Sequence, residues 1–157
     1  MGRDDNGALI LHYAVAAGNI NGINFAIRHC LDVNDRDHTG ATPLFDAVQC
    51  YNFAPLESLL SNGADINAVC NNGRTILHLA VHHHNTPCRN CEGSKSEELM
   101  ECLIKHGADV MVRGKLGESI LHLAAAGRNI TGINFAIRHG VDVNDRDTGD
   151  AGFTPLH

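Results

Sequence analysis

A nineteen-residue stretch occurs twice in this 157-residue chain, as NINGINFAIRHCLDVNDRD at Asn19–Asp37 and NITGINFAIRHGVDVNDRD at Asn129–Asp147, with three mismatches and an offset of 110 residues. Repetition on this scale restricts the architecture before any single residue is interpreted. Repeated units bury their apolar faces against their neighbours rather than in one shared core. Shorter echoes mark where units open: Gly7-ALILH, Gly40-ATPLF, Gly73-RTILH, Gly117-ESILH and Gly152-FTPLH, spaced 33, 33, 44 and 35 residues apart. A second motif closes them, as Leu31-DVND, Gly63-ADINA, Gly107-ADVMV and Val141-DVND. The 110-residue offset is thus three units of 33 with an insertion of 11.

Composition suits such a stack. Aromatic residues make up 4% of the chain, tryptophan is absent and there are 16 glycines, which is poor material for one large core. A linear array needs only small apolar faces between neighbours. The net charge of −6, with acids and bases interspersed, offers no basic stripe, so nucleic acid is not expected as a partner. No apolar run is long enough to span a bilayer, and MGRDDNGALI has neither a signal-peptide layout nor, with Asn6, a myristoylation signal. Among the six cysteines, Cys30, Cys50, Cys70 and Cys102 fall at different unit positions, which argues for free thiols in a reducing cytoplasm or nucleus.

The opening and closing motifs, recurring in register, resemble the ankyrin repeat, a 33-residue unit reading roughly G-x-T-P-L-H-x-A-A followed by G-A-D-V-N-A. The resemblance covers essentially the whole chain. It implies an all-α helix-turn-helix solenoid with β-hairpin-like loops over residues 1–157. The units run about 7–39, 40–72, 73–116 with the insertion near 85–96, and 117–151, with a fifth beginning at 152–157. The chain ends as that fifth unit starts, so a fragment of a longer protein is expected.

Each first helix should begin near Thr-Pro, where Pro43 and Pro155 lose no hydrogen bond and already have a helical φ. Ile10, Ile76 and Ile120 replace the proline elsewhere. The Thr75–His78 and Ser119–His122 spacings resemble the family's loop-to-helix hydrogen bond, and these histidines, with His12 and His157, read as structural. Phe45 substitutes packing for that contact. The second helices carry apolar faces at Ile23, Ala26, Ile27; Leu56, Leu59, Leu60; Leu99, Leu103, Ile104; and Ile133, Ala136, Ile137. Gly63, Gly107 and Gly140 follow as left-handed caps, with Cys30 in the strained equivalent position. Gly22 and Gly132 read as sites of close packing, Arg128 stands where a turn glycine is expected, and Ser96, before Glu97 and Glu98, reads as the N-cap that restarts the third unit's second helix.

The insertion holds the main chemical candidate. Cys88-x-x-Cys91 has zinc-knuckle spacing, and His82, His83 and His84 precede it, with His83 and His84 the nitrogen ligands of choice. A four-ligand site would have to recruit two histidines across a short loop, so a reversible disulfide and a plain insertion with free thiols stand beside zinc. No other cofactor is expected. Phosphate-loop and nucleophile-elbow motifs are absent, so no catalytic residue and no enzyme are expected. The resemblance also implies a modification pattern, Leu-x(5)-Asp-apolar-Asn, which makes Asn67, Asn34 and Asn144 candidates for hydroxylation beside the plainer reading of turn-stabilising side chains.

The resemblance implies a protein-binding function, as scaffold or adaptor, through a concave surface of loop tips and first helices. Carried across by position, that surface comprises Arg36, His38, Thr39 and Ala41; Val69, Asn71, Asn72 and Arg74; Arg113, Lys115, Leu116 and Glu118; with Gln49, Cys50, His82 and His83 on the helices. A monomer without membrane insertion is expected, with a protein partner. The alternatives are a metal- or redox-responsive module built on Cys88 and Cys91, or the non-catalytic part of a larger enzyme.

Overall fold

Opening motifs start short helices and closing motifs end longer ones throughout the computed structural model, which describes residues 9–82, 93–147 and 155. The pairs are α1 (Ile10–Ala16) with α2 (Ile20–Arg28), α3 (Pro43–Gln49) with α4 (Phe53–Ser61), α5 (Ile76–His82) with α6 (Gly93–Lys105), and α7 (Ile120–Ala126) with α8 (Ile130–Arg138). The described residues form no strand, and Val69 and Thr75 make an isolated bridge. The expected all-α solenoid is the fold, and its hairpin-like loops are tight turns. Of the fifth unit only Pro155 is described, buried in a turn.

Local chemistry explains each unit. Thr42 is extended and Pro43 takes the first helical position, where its missing N–H leaves no bond unmade. Ile76 and Ile120 fill that position elsewhere and are fully buried, adding apolar contact in place of rigidity. The first helices then stack in a row, α1 on α3, α3 on α5 and α5 on α7, while α2, α4, α6 and α8 form a second row behind them. Leu11, Val15, Leu44, Val48, Leu77, Val81 and Leu121 run through the stack as a continuous core.

Turn positions follow the same logic. Gly63, Gly107 and Gly140 close the second helices at φ 88°, 90° and 82°, and Cys30 takes the equivalent left-handed conformation at φ 59° despite its Cβ. Between the helices of a unit, Gly18 at φ 65° is matched by Tyr51 at 49° and Arg128 at 53°, so the missing turn glycine of the fourth unit does not change its path. Asn19 and Asn129 then cap the following helix by accepting the Gly22 and Gly132 N–H at 2.9 Å. A Cβ at Gly132 would meet Asn129 Nδ2 at 2.9 Å and the Ala124 Cβ at 3.2 Å, which accounts for glycine there as close packing.

Two expectations are corrected. Ser96 is not an N-cap: α6 starts at Gly93 and is four residues longer than α2, α4 and α8, so part of the insertion is helical and Ser96 lies buried inside the helix. Its Oγ has no hydrogen-bond partner among the described residues. In α8 the buried aromatic is Phe135, fully enclosed, whereas Ile137 is 47% exposed. The expected faces hold in α2, α4 and α6, where Ile27, Leu60 and Ile104 are each half-buried against the core.

Candidate protein-binding groove

Three loops lie side by side in front of the first helices, each closed by the same pair of backbone bonds. Asp37 N–H donates to the Ala41 carbonyl and Gly40 N–H to Asp37; Cys70 pairs with Arg74 and Gly73; Gly114 pairs with Glu118 and Gly117. The loops are also joined to one another. Asn71 N–H donates to the Thr39 carbonyl at 2.9 Å and Lys115 N–H to the Asn72 carbonyl at 3.0 Å. Asn71 Nδ2 donates to the His38 carbonyl at 3.0 Å, and the Arg36 guanidinium reaches both Gly40 at 3.0 Å and the Val69 carbonyl of the next loop. Arg113 repeats this with Gly117 at 3.0 Å and the Asp145 carboxylate.

Between these loops and helices α3 and α5 lies an open groove of about 600 Å³. Thr39, Ala41, Gln49, Asn71, Asn72, Arg74 and His82 of the sequence-derived surface line it. Sequence reasoning missed Asp37, Phe45, Asp46, Cys70, Thr75, His78 and Leu79, which also line it. Phe45, Asp46 and Gln49 share one side of α3 at helical spacing, a signal present in the sequence. The other expected contacts fall elsewhere. His38, Cys50, Val69, Lys115 and Leu116 are exposed outside the groove, Arg36 and Arg113 are engaged in joining loops, and His83 lies outside the described residues. Glu118 is corrected from a loop-tip contact to a buried residue: its carboxylate turns inward to accept Arg74 Nε–H and Leu116 N–H, each at 3.0 Å. Burial alone would raise its pKa, but these bonds and the Arg74 charge hold it below the usual carboxylate range.

His12, behind the groove, and His78, in its lining, are perturbed in opposite directions. His12 Nδ1 lies 2.6 Å from the Asp46 carboxylate and Nε2 lies 3.2 Å from the Asp35 carbonyl. Both partners only accept, an arrangement that favours a proton on each ring nitrogen and so the cationic ring. Burial pushes its pKa down, but the hydrogen bond and charge of Asp46 outweigh this, and the net shift is upward. His78 instead accepts from Thr75 at Nδ1, from the hydroxyl at 2.9 Å and the N–H at 3.2 Å. Burial pushes its pKa down more than the backbone and charge of neighbouring Glu118 raise it. Ser119 and His122 repeat the Thr75–His78 link at 2.8 Å, as the spacing predicts.

The asparagines named for modification join units. Asn34 Nδ2 donates to the Gly63 carbonyl at 3.1 Å and its Oδ1 accepts from Asp65 N–H at 2.7 Å. Asn67 does the same with Gly107 and Asp109, at 3.0 and 2.8 Å. Asn144 makes no such bridge among the described residues. Cys30, Cys50, Cys70 and Cys102 form no disulfide among the described residues, and burial, with Glu57 nearby, pushes the Cys102 thiol up and away from reactivity. Cys88, Cys91 and His84, like His83, lie outside the described residues. No group of three metal-ligating side chains occurs among those that are described.

Family models for ankyrin repeats match residues 1–69, 52–88 and 72–115, together more than half of the sequence. The chain belongs to the ankyrin repeat family. An ankyrin repeat protein of fowlpox virus strain NVSL is 44% identical over 50 residues, covering 32% of this chain and 9% of that protein. Human neurogenic locus notch homolog protein 1 is 36% identical over 80 residues, covering 50% of this chain and 3% of that protein. Mouse NF-kappa-B inhibitor delta is 33% identical over 85 residues, covering 52% and 26%. The chain therefore spans only a small part of the length of these relatives. Ankyrin repeats are protein–protein interaction modules without catalytic chemistry of their own, which sets the function class. No helix among the described residues is long and apolar enough to cross a membrane.

Proposed function

We propose that this ankyrin chain is a scaffold or adaptor module whose partner protein inserts an extended segment into the groove between the loops and helices α3 and α5. The observation that carries this reading is the groove itself: about 600 Å³, walled by loops fixed to one another by backbone hydrogen bonds. A wall already ordered before binding loses little conformational freedom when a partner arrives. The lining is mixed, with apolar Phe45 and Leu79 beside Asn71, Asn72 and Gln49, and suits a peptide with alternating polar and apolar contacts. A reducing compartment, cytoplasm or nucleus, is part of the same proposal, and cysteines without disulfides among the described residues are in keeping with it.

The test is affinity capture with three chains: the natural one, Gln49→Arg with Asn72→Arg in the groove, and Lys105→Glu on the second-helix row. A protein retained by the natural chain and by Lys105→Glu, but at least tenfold less by the groove variant, supports the reading. Equal retention by all three overturns it.

A further inference from the structure

The duplicated helix meets its surroundings in opposite ways at its two occurrences. In α8, which has the α5–α6 unit before it, Phe135 is fully buried and Ile137 faces water. In α2, Phe25 is 63% exposed while Ile23 is fully buried, α2 packing against α4 on its other side. What covers the Phe135 face is visible in the structure. Arg138 pairs with Glu97 and, at 3.7 Å, with Glu101 of α6, and His139 Nε2 lies 3.4 Å from Glu101. That face is a docking surface with a seated occupant: an apolar ring flanked by two bases, against a helix with two carboxylates one turn apart.

The same three residues stand uncovered on α2 as Phe25, Arg28 and His29. Among the described residues Arg28 meets no carboxylate. His29 donates back to the Phe25 carbonyl at 2.8 Å, and its ring stacks on Phe25 with centroids 3.9 Å apart and 27° between planes. In the covered copy the corresponding rings stand 4.4 Å apart at 46°. We propose that the Phe25, Arg28 and His29 face of α2 docks an acidic amphipathic helix of a partner protein, carrying two carboxylates one turn apart beside an apolar stripe. A second copy of this chain does not match. Counting back from Gly107 and Gly140, the positions of Glu97 and Glu101 are occupied in α8 by Ile130 and Asn134, so end-to-end stacking gives Arg28 no carboxylate.

The probe is a peptide of the α6 sequence, Lys95–His106, held helical by a hydrocarbon staple replacing Glu98 and Cys102 on the side away from the paired carboxylates. Titrated into the whole chain and followed by fluorescence anisotropy, it should bind with one peptide per chain. Phe25→Ala and Arg28→Glu should each weaken it at least tenfold with no change in the thermal melt, since both residues are exposed. Peptide changes Glu97→Lys and Glu101→Lys should restore binding to Arg28→Glu. No saturable binding overturns the proposal, as does binding indifferent to Phe25 and Arg28. Sedimentation showing a dimer that Phe25→Ala dissociates would also overturn it, assigning the face to a second copy.

Discussion

The carboxylate of Glu118 occupies the space that a side chain at Gly114 would need: a Cβ on that glycine would lie 2.4 Å from Glu118 Oε1. In the first loop the equivalent carboxylate comes from the other end of the turn. Asp37 Oδ1 accepts from Thr39 N–H at 2.8 Å and Ala41 N–H at 3.0 Å, while Glu118 Oε2 accepts from Leu116 N–H. One loop therefore carries its acceptor at the first position and another at the fifth, and both satisfy the N–H of the third. In the middle loop Asn72 takes a related role, accepting Arg74 N–H at 3.2 Å.

This exchange predicts a compensating pair. Glu118→Ala should lower stability by about 1–3 kcal/mol, because the part-buried Leu116 N–H and Arg74 lose their acceptor. Gly114→Asp alone should cost about 1–3 kcal/mol through crowding. Combined, they rebuild the Asp37–Ala41 arrangement and should be less destabilising than the two single effects added, by about 1 kcal/mol or more. Urea denaturation of the four chains measures the coupling, and simple additivity would refute the equivalence of the loops.

The two histidines should give opposite pH signatures. His12 has a raised folded pKa, so its contribution is fully present below the ordinary value of 6.5 and lost as pH rises through the folded value. His78 has a lowered one, so its contribution is present above 6.5 and falls as pH drops from there toward its folded value. Proton NMR should show His12 titrating above 6.5 and His78 below it. Asp46→Asn should bring His12 down, and should destabilise the chain more at pH 6 than at pH 9.

How much of this was legible in the sequence depends on whether a residue acts within its unit or between units. Pro43 opening a helix, Gly63 closing one and Thr75 bonding His78 are local events whose geometry follows from spacing alone, and all three are present. The Asn67 bridge to Gly107, the Arg36 reach to Val69 and the inward turn of Glu118 link residues 33 to 44 positions apart or depend on a missing side chain next door. A repeat alignment aligns such residues without saying which way they turn. Hence Arg36, Arg113 and Glu118 looked like loop-tip contacts, whereas Phe45, on the groove side of α3, looked like scaffold.

Cys30 holds a left-handed conformation that its three counterparts assign to glycine. Cys30→Gly should stabilise the chain by about 0.5–1 kcal/mol, the relief of backbone strain being partly offset by the freer unfolded chain. Differential scanning calorimetry at fixed pH checks this. A lower melting temperature would mean that the thiol makes a contact outweighing the strain.

Ser96 separates the two placements of the third unit's second helix. As an N-cap its replacement by Ala would cost about 1 kcal/mol. Inside α6, buried with a hydroxyl unpartnered among the described residues, Ser96→Ala should leave stability unchanged or raise it by about 0.5–1 kcal/mol. The sign of the shift in the urea midpoint decides.

The loops meet one to one although their spacing along the chain is unequal. Asp37 to Cys70 is 33 residues and Cys70 to Gly114 is 44, yet Asn71 joins Thr39 and Lys115 joins Asn72 through bonds of the same kind and length. The longer detour is taken up away from the loops, by ten residues between α5 and α6 where the other pairs have three, and by the four extra residues of α6. Chain length and recognition surface are thereby uncoupled: the back of a unit can gain or lose residues over generations while the front keeps its pitch, so a partner reading the loops would meet the same face.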